Sequence, residues 1–330
     1  MNTDRPNQIG LEDSVAGATL PTMIPPATIR PDERDDPSVP SVNSRSTPPP
    51  GLIQIPGYTF IELLQKPDRN IVYRAKEDNS DQDVVVKQFT PEELEQFTRQ
   101  KDIENRLPRD HPNLLLADRF LAEYRSIISR HLRGGDFHHL MDRVGMLHPS
   151  QTKVIALNLL DALHVMHTRG IIYRDVKSRN ILLDIINPDV ENITAETLES
   201  FLDFRLKLCD YELAGHPSLS DESKEGKRIG TPRYMAPEAC KGEKNDPRSD
   251  LYSVGVLFYR ALAGVYPIDG ENHEEIMARQ ISDSFPDITE LNTEITPGQK
   301  AVLEKLWAKD PKKRYQMARD FQYDWLSELC

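Results

Sequence analysis

Cysteine is scarce in this chain. There are three in 330 residues, Cys209, Cys240 and Cys330, with no paired spacing among them. That excludes a disulfide framework and a C-x-x-C metal site, and it fits a reducing compartment. Long apolar runs are missing too. The best stretch, Tyr252–Val265, is too short for a bilayer and carries Arg260. The first residues lack the basic start and apolar centre of a secretory leader, so a cytoplasmic, water-soluble protein without a membrane span is expected. Positive charge is in deficit: 41 Lys and Arg against 53 Asp and Glu leave a formal net charge of −12. That argues against nucleic acid or an anionic membrane as a general partner. Aromatic residues are absent from positions 1–55, which hold ten of the twenty-five prolines. Such a segment buries too little apolar surface to offset the entropy of ordering it. Residues 1–55 are therefore expected as a disordered Pro/Ser/Thr-rich tail, a linker in preference to a docking point.

The remainder, 56–330, reads as one folded unit in two parts. Tyr58–Leu64, Ile71–Ala75 and Val84–Phe89 are short runs rich in β-branched and aromatic residues, separated by polar turns. Leu94, Phe97, Ile103 and Leu107 recur at roughly helical spacing across 91–106, and Leu114–Leu121 and Ser126–Leu132 suggest two more strands. The expectation is a small five-stranded antiparallel sheet with one helix over about 56–132. From Gly134–Gly135 the pattern turns helical. Ser150 is placed to cap a helix running to about His167 through Val154, Leu157, Leu160 and Leu163. Strands are expected at Ile181–Leu183 and Leu206–Cys209, a short helix over 195–204, and a polar mobile loop over 213–230. Helices are expected over 250–263, 296–307 and 317–326.

One loop stands out. Arg174, Asp175, Lys177 and Asn180 place an acid, a cation and an amide between two strand signals. A polar surface turn would also use Asp, Ser and Asn, but it has no need of this order of charges. Partners lie elsewhere in the chain. Lys87 ends the strand Val84–Val86, and Asp210 ends a strand after the loop. Gly230–Thr231–Pro232 and Met235–Ala236–Pro237–Glu238 follow. Taken singly, the lesser readings are a snorkelling strand lysine for Lys87 and a strand-end cap for Asp210.

In this order, over about 56–326, the residues resemble the eukaryotic-type (Hanks-type) serine/threonine protein kinase family. The resemblance implies an α+β bilobal fold, with an N-lobe over about 56–132 and a larger, mainly helical C-lobe over about 133–330. It implies ATP and Mg²⁺ as cofactors and a protein hydroxyl as substrate. Asp175 would orient the substrate hydroxyl, Lys177 would neutralise the γ-phosphate, and Asn180 and Asp210 would be oxygen ligands of Mg²⁺. Lys87 would grip the α- and β-phosphates, while Leu64, Val72, Val85 and Leu182 would enclose adenine, with Ser129 as a small gatekeeper. Lys177 and Thr231 point to the serine/threonine branch. Glu238 with Arg314, and Asp250, take the family's architectural positions. Arg174 could pair with a phosphorylated loop residue, Ser223 being the nearest candidate.

The family pattern is broken in three places. Gln65–Lys66–Pro67–Asp68–Arg69–Asn70 stands where three glycines would let backbone N–H groups approach the phosphates, and Pro67 has no N–H. The helix acid expected to pair with Lys87 is Asp102 or, alternatively, Glu104. Asp210–Tyr211–Glu212 lacks the usual glycine after the aromatic residue. The expectation is a serine/threonine kinase, with low intrinsic activity left open. The alternative is a pseudokinase acting as a nucleotide-binding or scaffold module. The 185–204 insertion and the tail are candidate docking elements.

Overall fold

The structure, a computed structural model, describes residues 46–65, 70–80, 82–194, 196–199, 203–219 and 228–330. Five strands form the first sheet: β1 (Tyr58–Leu63), β2 (Ile71–Glu77), β3 (Asp83–Gln88), β4 (Arg119–Leu121) and β5 (Ser126–Arg130), in the order β1-β2-β3-β5-β4. All neighbouring pairs are antiparallel. In β3 the two-residue side-chain period does the positioning. Val84, Val86 and Gln88 are buried, which sends Val85 and Lys87 together to the opposite face, towards the cleft. Helix α1 (Leu94–Glu104) packs Phe97 against Phe89 beneath this sheet, with ring centroids 5.7 Å apart.

The rest is mainly helical: α2 (Phe137–Val144), α3 (Lys153–His167), α4 (Pro237–Cys240), α5 (Pro247–Ala263), α6 (His273–Ser282), α7 (Ile288–Leu291), α8 (Pro297–Leu306) and α9 (Ala318–Ser327). A second sheet pairs β6 (Ile181–Ile185) with β7 (Phe204–Leu208). Asp246 caps α5 by accepting from the Arg248 N–H, with Pro247 at the first helical position. Every residue of α5 from Ser249 to Ala263 is buried, so it is the axis of the larger lobe. Trp325 of α9 packs edge-on against Phe258 of α5 and donates its indole N–H to Thr152 at 3.0 Å.

Several local expectations change. Leu114–Leu121 is a strand only at its end, because Leu115 N–H bonds to the Leu208 carbonyl and draws the first half of the run towards the second sheet. Pro149–Thr152 is a 3-10 turn capped by His148 ahead of α3, so Ser150 is inside the turn and is not the cap. Within the expected helix over 195–204, a 3-10 turn covers Thr197–Glu199 and Phe204 already belongs to β7, while 195 and 200–202 lie outside the described residues. The 185–204 insertion is closed on itself, since Asp203 O accepts from both the Ile186 and Asn187 N–H groups. Ile193 and Leu198 reach the helical core.

The expected start of order near residue 56 is also too late. Ile53 exchanges two hydrogen bonds with the Gln88 side chain (2.8 and 3.1 Å), and Ile55 is buried in the core of the first sheet. A short apolar strap, invisible to periodicity, is held by one strand glutamine.

Candidate active site

The loop between α3 and β6 is held from below. Asp250, near the start of α5, accepts the backbone N–H of Arg174 on Oδ1 at 2.7 Å. Its Oδ2 accepts from the Tyr173 N–H at 2.9 Å and contacts His167 Nε2 at 2.8 Å. Arg174 has φ +70°, in the left-handed region that non-glycine residues seldom occupy. Such a backbone persists where surrounding contacts over-determine it, and the buried Asp250 carboxylate supplies them. Tyr173 donates its hydroxyl to the Cys209 carbonyl at 2.5 Å and meets the buried Tyr211 ring edge-on at 6.0 Å. The loop and the segment that begins at Asp210 are thus locked together.

Asp175 is the hub. Its Oδ1 accepts the Thr231 hydroxyl at 2.7 Å; its Oδ2 accepts from Lys177 Nζ at 2.7 Å and from the Asn180 amide at 3.0 Å. The same Asn180 amide also bonds to the Asp175 carbonyl. Burial works against the Lys177 charge, but the Asp175 carboxylate outweighs it and raises the ammonium above the ordinary lysine range. Thr231 reaches Asp175 because Gly230 turns the chain at φ +124°; a Cβ there would lie 2.8 Å from the Arg174 carbonyl oxygen.

Lys87 Nζ lies 2.8 Å from Asp210 Oδ1 and 2.6 Å from Glu212 Oε2. Burial opposes its charge, and the two carboxylates overcome that, so the ammonium stays protonated well beyond the ordinary range. Asp210, also with positive φ (+62°), is held below the usual carboxylate range: the Lys87 charge prevails over burial. Glu212 is pushed up, by burial first and then by the Asp210 charge. The expected pairing of Lys87 with an acid of α1 is not the one formed. Asp102 is half-buried and makes no ion pair with Lys87. Glu104 is 1% exposed and committed elsewhere: Oε2 accepts the Ala117 N–H at 2.6 Å and Oε1 accepts from Gln100 at 2.8 Å. Glu212 is the residue that the sequence reading missed. Its signal was an acid two positions after Asp210, on the segment that faces Lys87.

Above these groups is a cleft of about 600 Å³, lined by Leu64, Val72, Val85 and Leu182, with Ser129 and Leu132 at its inner wall and Asn180 and Asp210 at its polar end. Ser129 is paired across the sheet with Val85. Of the segment where glycines were missing, Gln65 and Asn70 are hydrogen-bonded to each other (3.0 Å), while Lys66–Arg69 lie outside the described residues. Ser223 lies outside them as well. Glu238 and Arg314 form a buried two-point ion pair at 2.6 and 2.8 Å, with Ser249 donating to Glu238.

A five-stranded sheet with one helix, a helical lobe below it, and Lys87, Asp175, Asn180 and Asp210 converging on the cleft between them define a protein kinase fold. A family model described as "Protein kinase domain" matches residues 67–326. Curated relatives include the serine/threonine-protein kinases PrkC of Bacillus subtilis (24% identical over 77% of this chain and 37% of the relative) and pkn3 of Myxococcus xanthus (28%, over 80% and 48%). A third is PknD of Mycobacterium tuberculosis (26%, over 86% and 40%). The chain belongs to the Hanks-type serine/threonine protein kinase family. It spans less than half the length of each of these relatives. Among the described residues no helix is long and apolar enough to cross a membrane.

Proposed function

We propose that this chain transfers the γ-phosphate of Mg·ATP to serine or threonine hydroxyls of a protein substrate. The observation that carries the reading is the Asp175 carboxylate. One oxygen is held by Thr231 and the other by Lys177 and Asn180, so the acid is aimed and braced beside Asn180, which lines the polar end of the cleft.

The residues present fit the nucleotide and its metal. Leu64, Val72, Val85 and Leu182 offer a planar base two apolar walls. Asn180 turns its NH₂ towards Asp175, which keeps its amide oxygen for a cation, and Asp210 adds a carboxylate. Two hard oxygen ligands with phosphate oxygens completing the shell suit Mg²⁺, which rarely needs an all-protein cage. Held there, Mg²⁺ would neutralise phosphate charge. Lys87 binds the α- and β-phosphates, Asp175 orients the attacking hydroxyl and takes its proton, and Lys177 balances charge on the phosphoryl group in flight. Phosphoryl transfer asks for positioning and electrostatics, and these residues supply both.

The second reading is a pseudokinase that keeps the fold without turnover. It is favoured by Pro67, which stands in sequence where the family has glycines and has no backbone N–H to donate. The deciding experiment is γ-³²P transfer by the purified chain with Mg·ATP, compared with Lys87→Met and Asp175→Asn. Label that depends on both residues supports the kinase. Label equal in all three overturns it. Stabilisation by nucleotide without any transfer assigns the scaffold role.

A further inference from the structure

We propose that Glu212 is the residue that positions Lys87 for the nucleotide, in place of an acid on α1. The inference rests on the kinase reading and deepens it. The shortest ion pair of Lys87 is to Glu212 Oε2, at 2.6 Å. The alternative acid, Glu104, is occupied at both oxygens by Ala117 N–H and Gln100, in a site 1% exposed to solvent. Turning Glu104 to Lys87 would orphan a buried backbone N–H, an arrangement that costs the full desolvation of that group. Glu212 also has a neighbour on the other side. Asn70 Nδ2 approaches its Oε2 at 3.4 Å, and Gln65 donates to Asn70 at 3.0 Å. Gln65 and Asn70, which flank residues 66–69 in sequence, are thus linked through Glu212 to Lys87.

The consequence concerns what sets the lysine in place. Asp210 has a second task as a metal ligand, so a lysine tied to Asp210 alone would lose its partner when the carboxylate turns to a cation. Glu212 keeps a carboxylate on Lys87 throughout. Both acids sit on the segment that Tyr211 anchors by donating to the Leu208 carbonyl at 2.6 Å. Lys87 therefore follows the 210–212 segment, and displacement of α1 leaves it in position. Glu212 acts through Lys87 and is a positioning residue.

Two measurements on the full chain test this. The first is a ligand-free thermal-unfolding cycle with Lys87→Met, Glu212→Gln and the double variant, beside the same cycle with Glu104→Gln. The expected result is a markedly larger non-additive Tm change for Lys87 with Glu212 than for Lys87 with Glu104, where only a longer-range charge effect acts. The second is nucleotide titration. Glu212→Gln is expected to weaken ATP binding by roughly tenfold, both with Mg²⁺ and with the metal chelated. The half-saturating Mg²⁺ and the KM for a protein substrate stay unchanged, and Glu212→Asp recovers part of the affinity. Additive Tm changes for Lys87 and Glu212, or coupling to Glu104 instead, overturn the pairing. A change confined to the Mg²⁺ requirement overturns the positioning role and makes Glu212 a metal ligand. A wild-type chain that binds no nucleotide overturns the kinase reading and the purpose given to Glu212, and the unfolding cycle still decides the pairing by itself.

Discussion

Thr231 donates its hydroxyl to Asp175 Oδ1 at 2.7 Å across 56 positions of sequence. The bond joins the acid of the loop between α3 and β6 to the segment that precedes α4, so the two are held as one piece. A hydrogen bond to a charged group contributes about 1.5–3 kcal/mol. If its role is to aim the carboxylate in the reacting complex, Thr231→Ala lowers kcat by about tenfold to a hundredfold while the dissociation constant for ATP holds. Thr231→Ser keeps the donor and retains most of the rate. A serine variant as slow as the alanine one would shift the explanation to packing of the methyl group.

Glu104 gives the fold a pH dependence. Burial pushes its carboxyl from 4.5 up to about 7, against the hydrogen bonds from Gln100 and Ala117 and the charges of Arg109 and Lys87. Between those two values the folded chain holds a proton that the unfolded chain has lost, so this group's contribution to stability falls as pH rises from about 4.5 to about 7. The loss is on the order of 3 kcal/mol at most. Glu104→Gln mimics the protonated form and removes the slope. Its Tm relative to wild type should climb between pH 5 and 7 and level off above. A difference that is flat across that range would mean the carboxyl is ionised throughout.

Arg314 is buried and spends its guanidinium on Glu238, Arg248 O, Ala308 O and Lys309 O. Removing one partner of a buried ion pair leaves the other charge uncompensated, at a cost of about 3–5 kcal/mol. Arg314→Ala should therefore unfold well below wild type in chemical denaturation. Arg314→Ala with Glu238→Gln should regain part of that loss, because no bare carboxylate remains. A double variant no better than the single one would assign the loss to the three carbonyls.

The strap before β1 makes its own prediction. Ile55 is 4% exposed in the small core of the first sheet, and large-to-small changes at such sites cost about 2–5 kcal/mol. Ile55→Ala, or truncation before Gly57, lowers Tm, and Gln88→Leu does so by releasing Ile53. Unfolding curves that coincide with wild type would return the strap to the status of a linker.

The residues of the candidate site could be picked out from the chain alone, since Asp175, Lys177, Asn180, Asp210 and Lys87 stand out by side-chain type and order. Those residues sit on short loops and strand ends whose local pattern is strong. Periodicity also located α5 and β3, because a uniformly apolar helix and a β-branched run each have a single favourable environment. The strap at 46–55 was hidden for the opposite reason. A few apolar residues without a period gain order only from a partner, Gln88, that lies 35 positions away.

The partner of Lys87 belongs to the same class. Residue identity and spacing offered a strand lysine, an aspartate as candidate metal ligand, two candidate acids on a helix, and a glutamate two positions after that aspartate. Choosing among the acids required the packed molecule. The rotation of α1 gives Glu104 to the Ala117 N–H, and the path of the chain after β7 brings Glu212 to Lys87. An ion pair depends on distances of a few ångströms between groups 125 positions apart, and hydrophobic pattern carries no such information. Burial made the choice, because each buried donor had to find an acceptor.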